Sequence, residues 1–273
     1  MQKREIQQFQ KTVLGFYTQN KRDLPWRPST KRKVTPYEIL VSEYMLQQTQ
    51  VHRIVPKFLA FIKKFPTLEF LAHASDKEVL SLWSGLGYNR RALYLRNTAR
   101  IIVENYNGIV PKETTVLKTF PGIGAYMASV LPVFIYNQRE VLIETNIRTI
   151  FIHHFFTDTD NILDTAILEL IEKTLPEKNP RDWYYALMDY GTYLKKEKKV
   201  KNTQSAHYIK QKPFKGSLRY VRGTLLKQLV TKKIEKEDVY DFFPEYTSRE
   251  VEKVCADLLK EGLIKETKKY FYL

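Results

Sequence analysis

From Pro36 to about Tyr193 the apolar residues of this 273-residue chain recur at three- and four-residue intervals between short turns, and almost nowhere do they alternate with polar ones. A strand lying half-buried on a core needs that alternation, so this stretch is restricted to an all-α domain. Ahead of it, Ile6, Phe9, Val13, Phe16 and Tyr17 carry the same helical spacing through residues 2–20, and NKRDLPWRPSTKRK (20–33) breaks it with two prolines and a charge cluster. At this length, 43% hydrophobic and 13% aromatic residues are enough to bury a proper core.

After Leu194 the text turns basic and poor in aliphatics, KKEKKVKNTQSAHYIKQKP, which reads as a linker or strap. The expected organisation is therefore a helical domain over 1–193, a basic linker over 194–213 and a smaller unit over 214–273. In the last unit, helices are predicted at 218–231, 235–243 and 247–261, ahead of a short β-hairpin in GLIKETKKYFYL. Three helices and a hairpin make a winged helix-turn-helix layout, in which Thr247 or Ser248 caps a recognition helix with Arg249 and Lys253 facing outward. Such modules dock on DNA or on proteins, and both readings stay open.

The formal charge is +15, with Lys and Arg spread along the whole chain. A polyanion is the natural partner, nucleic acid first among them, with solubility or contact with anionic lipid as the plainer readings. The single cysteine, Cys255, excludes an internal disulfide and a thiolate metal cluster, and none of the five histidines, His207 included, has metal-ligand spacing. No metal site is expected. The start lacks a signal-peptide core and no apolar run reaches the ~20 residues of a membrane helix, which points to a reducing cytoplasm, at the nucleoid if the cell is prokaryotic, with no membrane partner.

LKTFPGIGAYMASVL (117–131) places Pro121, Gly122 and Gly124 in a tight turn between two helices. Glycines there let backbone N–H groups approach a phosphate where the second helix presents its positive end. About twenty residues later LIETNIRTI (142–150) sets a carboxylate and an amide, Glu144 and Asn146, in an apolar segment, where an acid is costly without a task or a partner. With this hairpin and acid the chain resembles the helix-hairpin-helix DNA glycosylase superfamily. A closer likeness lies in LPWR (24–27), TPYEILVSEYMLQQTQV (35–51) and LWSGLGYNRRALYLRNTA (82–99), which are very similar to the MutY-type adenine glycosylases; it covers roughly residues 10–193.

The resemblance implies a helix-hairpin-helix glycosylase fold with a small winged-helix-like C-terminal domain, and it assigns roles. Glu43 stands where the family has the general acid that protonates the adenine ring. Glu144 stands where the family has an aspartate that stabilises the sugar cation, the same division of labour as two carboxylates in a glycoside hydrolase. The departure from aspartate adds a methylene, and an arm longer by ~1.5 Å is a misplacement that can cost about a hundredfold in rate unless something compensates. Tyr126 occupies the position of the Schiff-base lysine of bifunctional relatives, so base removal without strand cleavage is implied. Asn146 would orient the water or the carboxylates, Gln48 and Tyr88 would wedge into the duplex with Thr49 and Leu86 beside them, and Arg27 would lie near the adenine pocket.

Two family features are missing. Four cysteines that hold an iron-sulfur cluster should follow the segment 184–194, and none does, so no cofactor is expected. A domain that reads oxidised guanine cannot be built from the last sixty residues. The sequence therefore implies a monomeric, monofunctional adenine glycosylase acting on mismatched or damaged double-stranded DNA, with adenine opposite oxidised guanine or guanine as its substrate. A thymine or uracil mismatch glycosylase, or a non-catalytic lesion binder, are the alternatives.

Overall fold

The computed structural model describes residues 2–156, 159–208, 213, 214 and 216–273. In chain order its elements are α1 (Lys3–Asn20), α2 (Pro36–Leu46), α3 (Val51–Lys64), α4 (Leu68–Ala72), α5 (Asp76–Trp83), α6 (Arg90–Tyr106), α7 (Thr114–Leu117), α8 (Ala125–Tyr136), α9 (Thr145–Phe155), α10 (Asp164–Thr174), α11 (Pro180–Lys196), α12 (Leu218–Thr231), β1 (Ile234–Glu235), a 3-10 turn (Tyr240–Phe242), α13 (Ser248–Lys260), β2 (Lys265–Glu266) and β3 (Tyr270–Tyr272). The helical reading of residues 2–193 holds along that whole stretch.

Local chemistry sets many of the boundaries. Ser75 and Glu78 cap α5 reciprocally, as Thr247 and Glu250 cap α13, each pair satisfying backbone donors at both ends of the first turn. Asn107 and Asn137, both left-handed, end α6 and α8. In α3, Ile54, Phe58 and Phe61 recur at helical spacing and are buried.

The chain divides into two compact units, and the division cuts across the sequence. The first comprises Met1–Ile39, Pro111–Thr119 and Ile123–Lys210; the second comprises Leu40–Val110, Phe120–Gly122 and Gln211–Leu273. The C-terminal sixty residues thus group with 40–110, an arrangement other than the linear domain order expected from composition.

In the first unit, α9 and α11 form the tightest helix pair, with α1 against α11. Gly191 makes that pairing possible: a Cβ there would lie 2.4 Å from the Asn146 carbonyl oxygen. Phe9 from α1 completes the core, its ring 5.2 Å from Phe151 and 5.9 Å from Trp183. The segment expected as a basic linker is tied to this unit instead. Asn202 donates to the Thr145 carbonyl at 3.0 Å, Gln204 to those of Phe156 and Thr159 at 3.0 Å, and Ile162 bridges to Ser205. Its end, 209–212, lies outside the described residues.

In the second unit, α4 and α5 pack on α6, with Phe58, Phe61 and Trp83 fully buried. The C-terminal part builds a three-stranded antiparallel sheet in the order β1-β3-β2, with Ile234 opposite Phe271 and Lys265 opposite Tyr272. Helices α12 and α13 and the hairpin arise where expected, but the helix expected at 235–243 does not. Ile234 and Glu235 give their backbone to β3 and the Lys236 N–H donates to the Lys269 carbonyl at 3.0 Å, while Pro244 bars a helix from continuing past the 3-10 turn. Glu261, at the end of α13, pairs with both Arg222 of α12 and Arg90 at the start of α6.

Candidate active site

In the second unit the residues around Glu43 come together from four segments. Glu43 itself, on α2, is 4% exposed. Its neighbour Tyr44 donates its hydroxyl to the Pro121 carbonyl, which also receives the Thr98 hydroxyl at 3.4 Å, and Gln47 donates to the Gly122 carbonyl at 3.4 Å. The hairpin turn is thereby fastened by its carbonyls. Gly122 is obligatory on two counts: its φ is +75°, and a Cβ would meet the Tyr94 ring at 2.6 Å. Gly124 needs no such freedom. It stands at the N-cap of α8 without a side-chain cap, leaving the positive end of that helix uncovered.

Gln48 and Tyr88 are exposed, and both hold positive φ, +52° and +48°. For residues with a Cβ this is a strained conformation that persists only where surroundings enforce it. The enforcer is Arg91, which the sequence reading passed over. Its Nη1 donates to the carbonyls of Tyr44 at 2.6 Å, Met45 at 3.0 Å and Gln47 at 2.6 Å. Its Nη2 donates to the Thr49 hydroxyl and the Gly87 carbonyl, each at 3.1 Å, and Nε reaches the Tyr88 carbonyl at 3.4 Å. One guanidinium thus satisfies orphan carbonyls at the C-terminal end of α2 and ties the 47–49 turn to the 85–88 turn. It also lies 5.5 Å from the Tyr88 ring centroid. Burial without a carboxylate partner depresses its pKa to about 10, and the side chain remains the charged donor at neutral pH. A signal existed: Arg91, Leu95, Thr98 and Ile102 fall on one buried stripe of α6, and an arginine in such a stripe must have acceptors waiting. Leu86, expected beside the wedge, is instead a core side chain at 3% exposure that supports the turn from beneath.

In the first unit Glu144 is the N-cap of α9. Its Oε1 accepts the N–H groups of Asn146 at 2.8 Å and Ile147 at 2.9 Å, and its Oε2 accepts the Asn146 amide at 3.1 Å. Burial raises its pKa above the usual carboxylate value, opposed by the two N–H groups, Lys195 and the Asn146 amide. The extra methylene is absorbed here: the side chain folds back over the helix end, so the backbone donors fix the carboxylate's position. Tyr126 is half-buried in the first turn of α8. Arg27, expected at a base pocket, is 6% exposed, and both arms of its fork are taken by Asp189, at 2.9 and 3.0 Å. Arg22 reaches the same carboxylate, and Arg27 lies 4.3 Å over the Tyr185 ring. That ion cluster gives Arg27 a structural duty.

Residues 41–177 match the model of the HhH-GPD superfamily of base excision DNA repair proteins. The chain belongs to this superfamily. Among relatives similar to this HhH-GPD chain, an adenine DNA glycosylase of Mycolicibacterium smegmatis is 37% identical over 180 residues, which are 66% of this chain and 60% of that protein. The adenine DNA glycosylase of Rattus norvegicus is 33% identical over 195 residues, covering 68% of this chain and 38% of its own length. The chain spans less than two thirds of the length of these curated relatives. A thermostable thymine-DNA glycosylase structure superposes with a TM-score of 0.59 at 24% identity over 69% of this chain and 86% of that one, and a trapped endonuclease III–DNA intermediate with 0.54 at 16% over 71% and 86%. These two likenesses establish the helix-hairpin-helix glycosylase fold.

An iron-sulfur cluster does not fit this HhH-GPD chain. Residues 195–207 offer no thiolate, and Asn202 and Gln204 fasten that segment by hydrogen bonds to backbone. The one cysteine, Cys255, lies buried in α13, where burial pushes its thiol up to about 11.

Proposed function

We propose that this chain is a monofunctional adenine DNA glycosylase that removes adenine from mismatches with oxidised guanine or guanine in double-stranded DNA, as a monomer and without an iron-sulfur cluster. The observation that carries the proposal is Glu43, a carboxyl at 4% exposure in the SEYMLQQTQV segment. An acid withdrawn from water in a helix is costly unless it works, and a carboxyl that hands a proton to the adenine ring turns a poor leaving anion into a neutral base.

In this reading the C1′–N9 bond breaks as adenine takes the proton from Glu43, and the ionised Glu144 faces the developing sugar cation. Water then adds to C1′ and gives up a proton, leaving an abasic site and free adenine. Asn146 holds the Glu144 carboxylate in place. Gln48 and Tyr88, raised on strained turns with Thr49 between Arg91 and the chain, fill the space of the extruded nucleotide, while Pro121, Gly122 and Gly124 present backbone to phosphate. Tyr126 cannot form an imine, so the strand stays intact. The exposed face of α13 carries Arg249, Lys253 and Lys260 against Glu250, Glu252 and Asp257, a balance that favours a docking role over groove recognition for the C-terminal part. No described helix is long and apolar enough to cross a membrane, in keeping with action at the nucleoid.

The test is cleavage of A:oxoguanine, A:G, T:G and U:G duplexes, with and without alkali. Both adenine duplexes are expected to be cut after alkali only, and Glu43→Gln is expected to lower the single-turnover rate at least about a hundredfold. Intact adenine duplexes reject the proposal. Cutting of T:G or U:G alone assigns a pyrimidine mismatch glycosylase, and mismatch binding without product assigns a lesion binder.

A further inference from the structure

We propose that Lys195 is a positioning residue for Glu144, fixing the Asn146 side chain between them and setting a positive charge beside the carboxylate. The inference rests on the reading of Glu144 as the group that faces the sugar cation. Lys195 occupies the first position past the segment after which the family's cluster cysteines are expected, on the last turn of α11. Its Nζ donates to the Asn146 Oδ1 at 3.3 Å, and the Asn146 Nδ2 donates to the Glu144 Oε2 at 3.1 Å.

An ammonium has donors only and a carboxylate has acceptors only. Between the two, an asparagine amide has one favourable orientation, oxygen toward lysine and nitrogen toward glutamate; the flipped amide would meet like with like on both sides. Lys195 therefore decides how Asn146 is turned. Its reach depends on Gly191, one helical turn earlier on the same face of α11, where the absent Cβ lets that helix close onto the Asn146 backbone. The other cation acting on Glu144 is Arg22, which is already engaged by Asp189. Removing Lys195 leaves the cap donors of α9 in place but takes away the one exposed cation directed at the carboxylate through the amide.

A plainer duty for Lys195 would be contact with a DNA phosphate, as one member of the basic run. The two are separated by single-turnover kinetics at saturating enzyme, followed across pH 5–9, for wild type, Lys195→Met, Lys195→Arg, Lys196→Met and Glu144→Gln. Loss of an opposite charge shifts a carboxyl upward, so Lys195→Met is expected to move the acid limb up by about one pH unit and to slow the neutral-pH rate roughly tenfold. Lys195→Arg should stay within about threefold and Lys196→Met should leave both rate and limb unchanged, since only a cationic donor at 195 is required. A Lys195→Met protein with normal rate and limb but weaker, salt-sensitive DNA binding overturns the proposal in favour of a phosphate contact. A borohydride-trapped adduct on abasic DNA that Lys195→Met abolishes overturns it in favour of an amine nucleophile. Full activity of Glu144→Gln removes the parent reading itself, whereas an inactive Glu144→Gln beside an unaffected Lys195→Met removes this inference alone.

Discussion

Replacing Arg91 by methionine keeps the volume and the aliphatic stem but deletes every donor of the guanidinium, and the structure sets the size of the effect. Six acceptors lose their partner: the carbonyls of Tyr44, Met45, Gln47, Gly87 and Tyr88 and the hydroxyl of Thr49. A buried group left without its partner costs about 1–3 kcal/mol, and bonds to a charged donor sit at the upper end. Two considerations pull the total down. Turn carbonyls at Gln47 and Tyr88 are near solvent and can recruit water, and deletion also removes the cost of burying an uncompensated cation at 6% exposure. A net loss of about 4 kcal/mol follows, a drop in Tm of roughly 8–16 °C at 2–4 °C per kcal/mol for a chain of this size. The catalytic effect goes further than stability. Gln48 and Tyr88 hold positive φ against a strain of order 1–3 kcal/mol each, and with Arg91 gone both turns can relax to ordinary backbone. Single-turnover cleavage of A:oxoguanine duplex at a temperature where the variant is folded should fall about a hundredfold, in line with a displacement near 1 Å of groups that hold the nucleotide. Arg91→Lys, a cation without the fork, should fall between the two. An Arg91→Met protein with a Tm within about 2 °C of wild type and unaltered single-turnover rate would show that the turns are held by their own sequences and not by this guanidinium.

Two further outcomes follow from close contacts in the first unit. Gly191→Ala gains up to about 1 kcal/mol in helix propensity, but its Cβ would sit 2.4 Å from the backbone oxygen of Asn146, which cannot yield as a side-chain tip could; we expect thermal unfolding to show a net loss of at least about 2 kcal/mol. Asp189→Asn leaves Arg22 and Arg27 facing a neutral group where a carboxylate at 3% exposure had paired both, so chemical denaturation should report a loss of about 3–5 kcal/mol, and a stability equal to wild type would mean that the cluster contributes nothing.

What the sequence disclosed and what it concealed divide along the range of the interactions involved. Helices α1, α12 and α13 are written in local periodicity and local caps, so their positions could be read directly. The stretch 235–243 has an equally plausible helical pattern, yet its conformation is decided by Phe271 and Tyr270, more than thirty residues away, which recruit Ile234 and Glu235 as a strand. The same logic governs the strap after α11, whose composition resembles a free linker but whose Asn202 and Gln204 find backbone carbonyls on α9 and the segment that follows it. Arg91 and Arg27 were misjudged for a related reason. Each is an arginine in a motif that suggests contact with DNA, and only the fold reveals that the acceptors are internal.

Glu144 carries the argument to the chemistry. Read as a string, its extra methylene displaces a carboxylate by ~1.5 Å, because a side chain is imagined extending forward from a fixed Cα. In the structure the arm curls back to the first turn of α9, and both oxygens are located by donors that belong to residues 146 and 147. A carboxylate fixed by its acceptor geometry tolerates a change of arm length, since rotamers can reapportion the slack while the N–H groups stay put. Burial pushes the group toward its neutral form, whereas stabilising a sugar cation requires the charged one, so those donors also decide whether the charge persists. The residue that matters at this position is therefore less the choice between aspartate and glutamate than the helix start beneath it, together with Asn146, which joins the cap to α11.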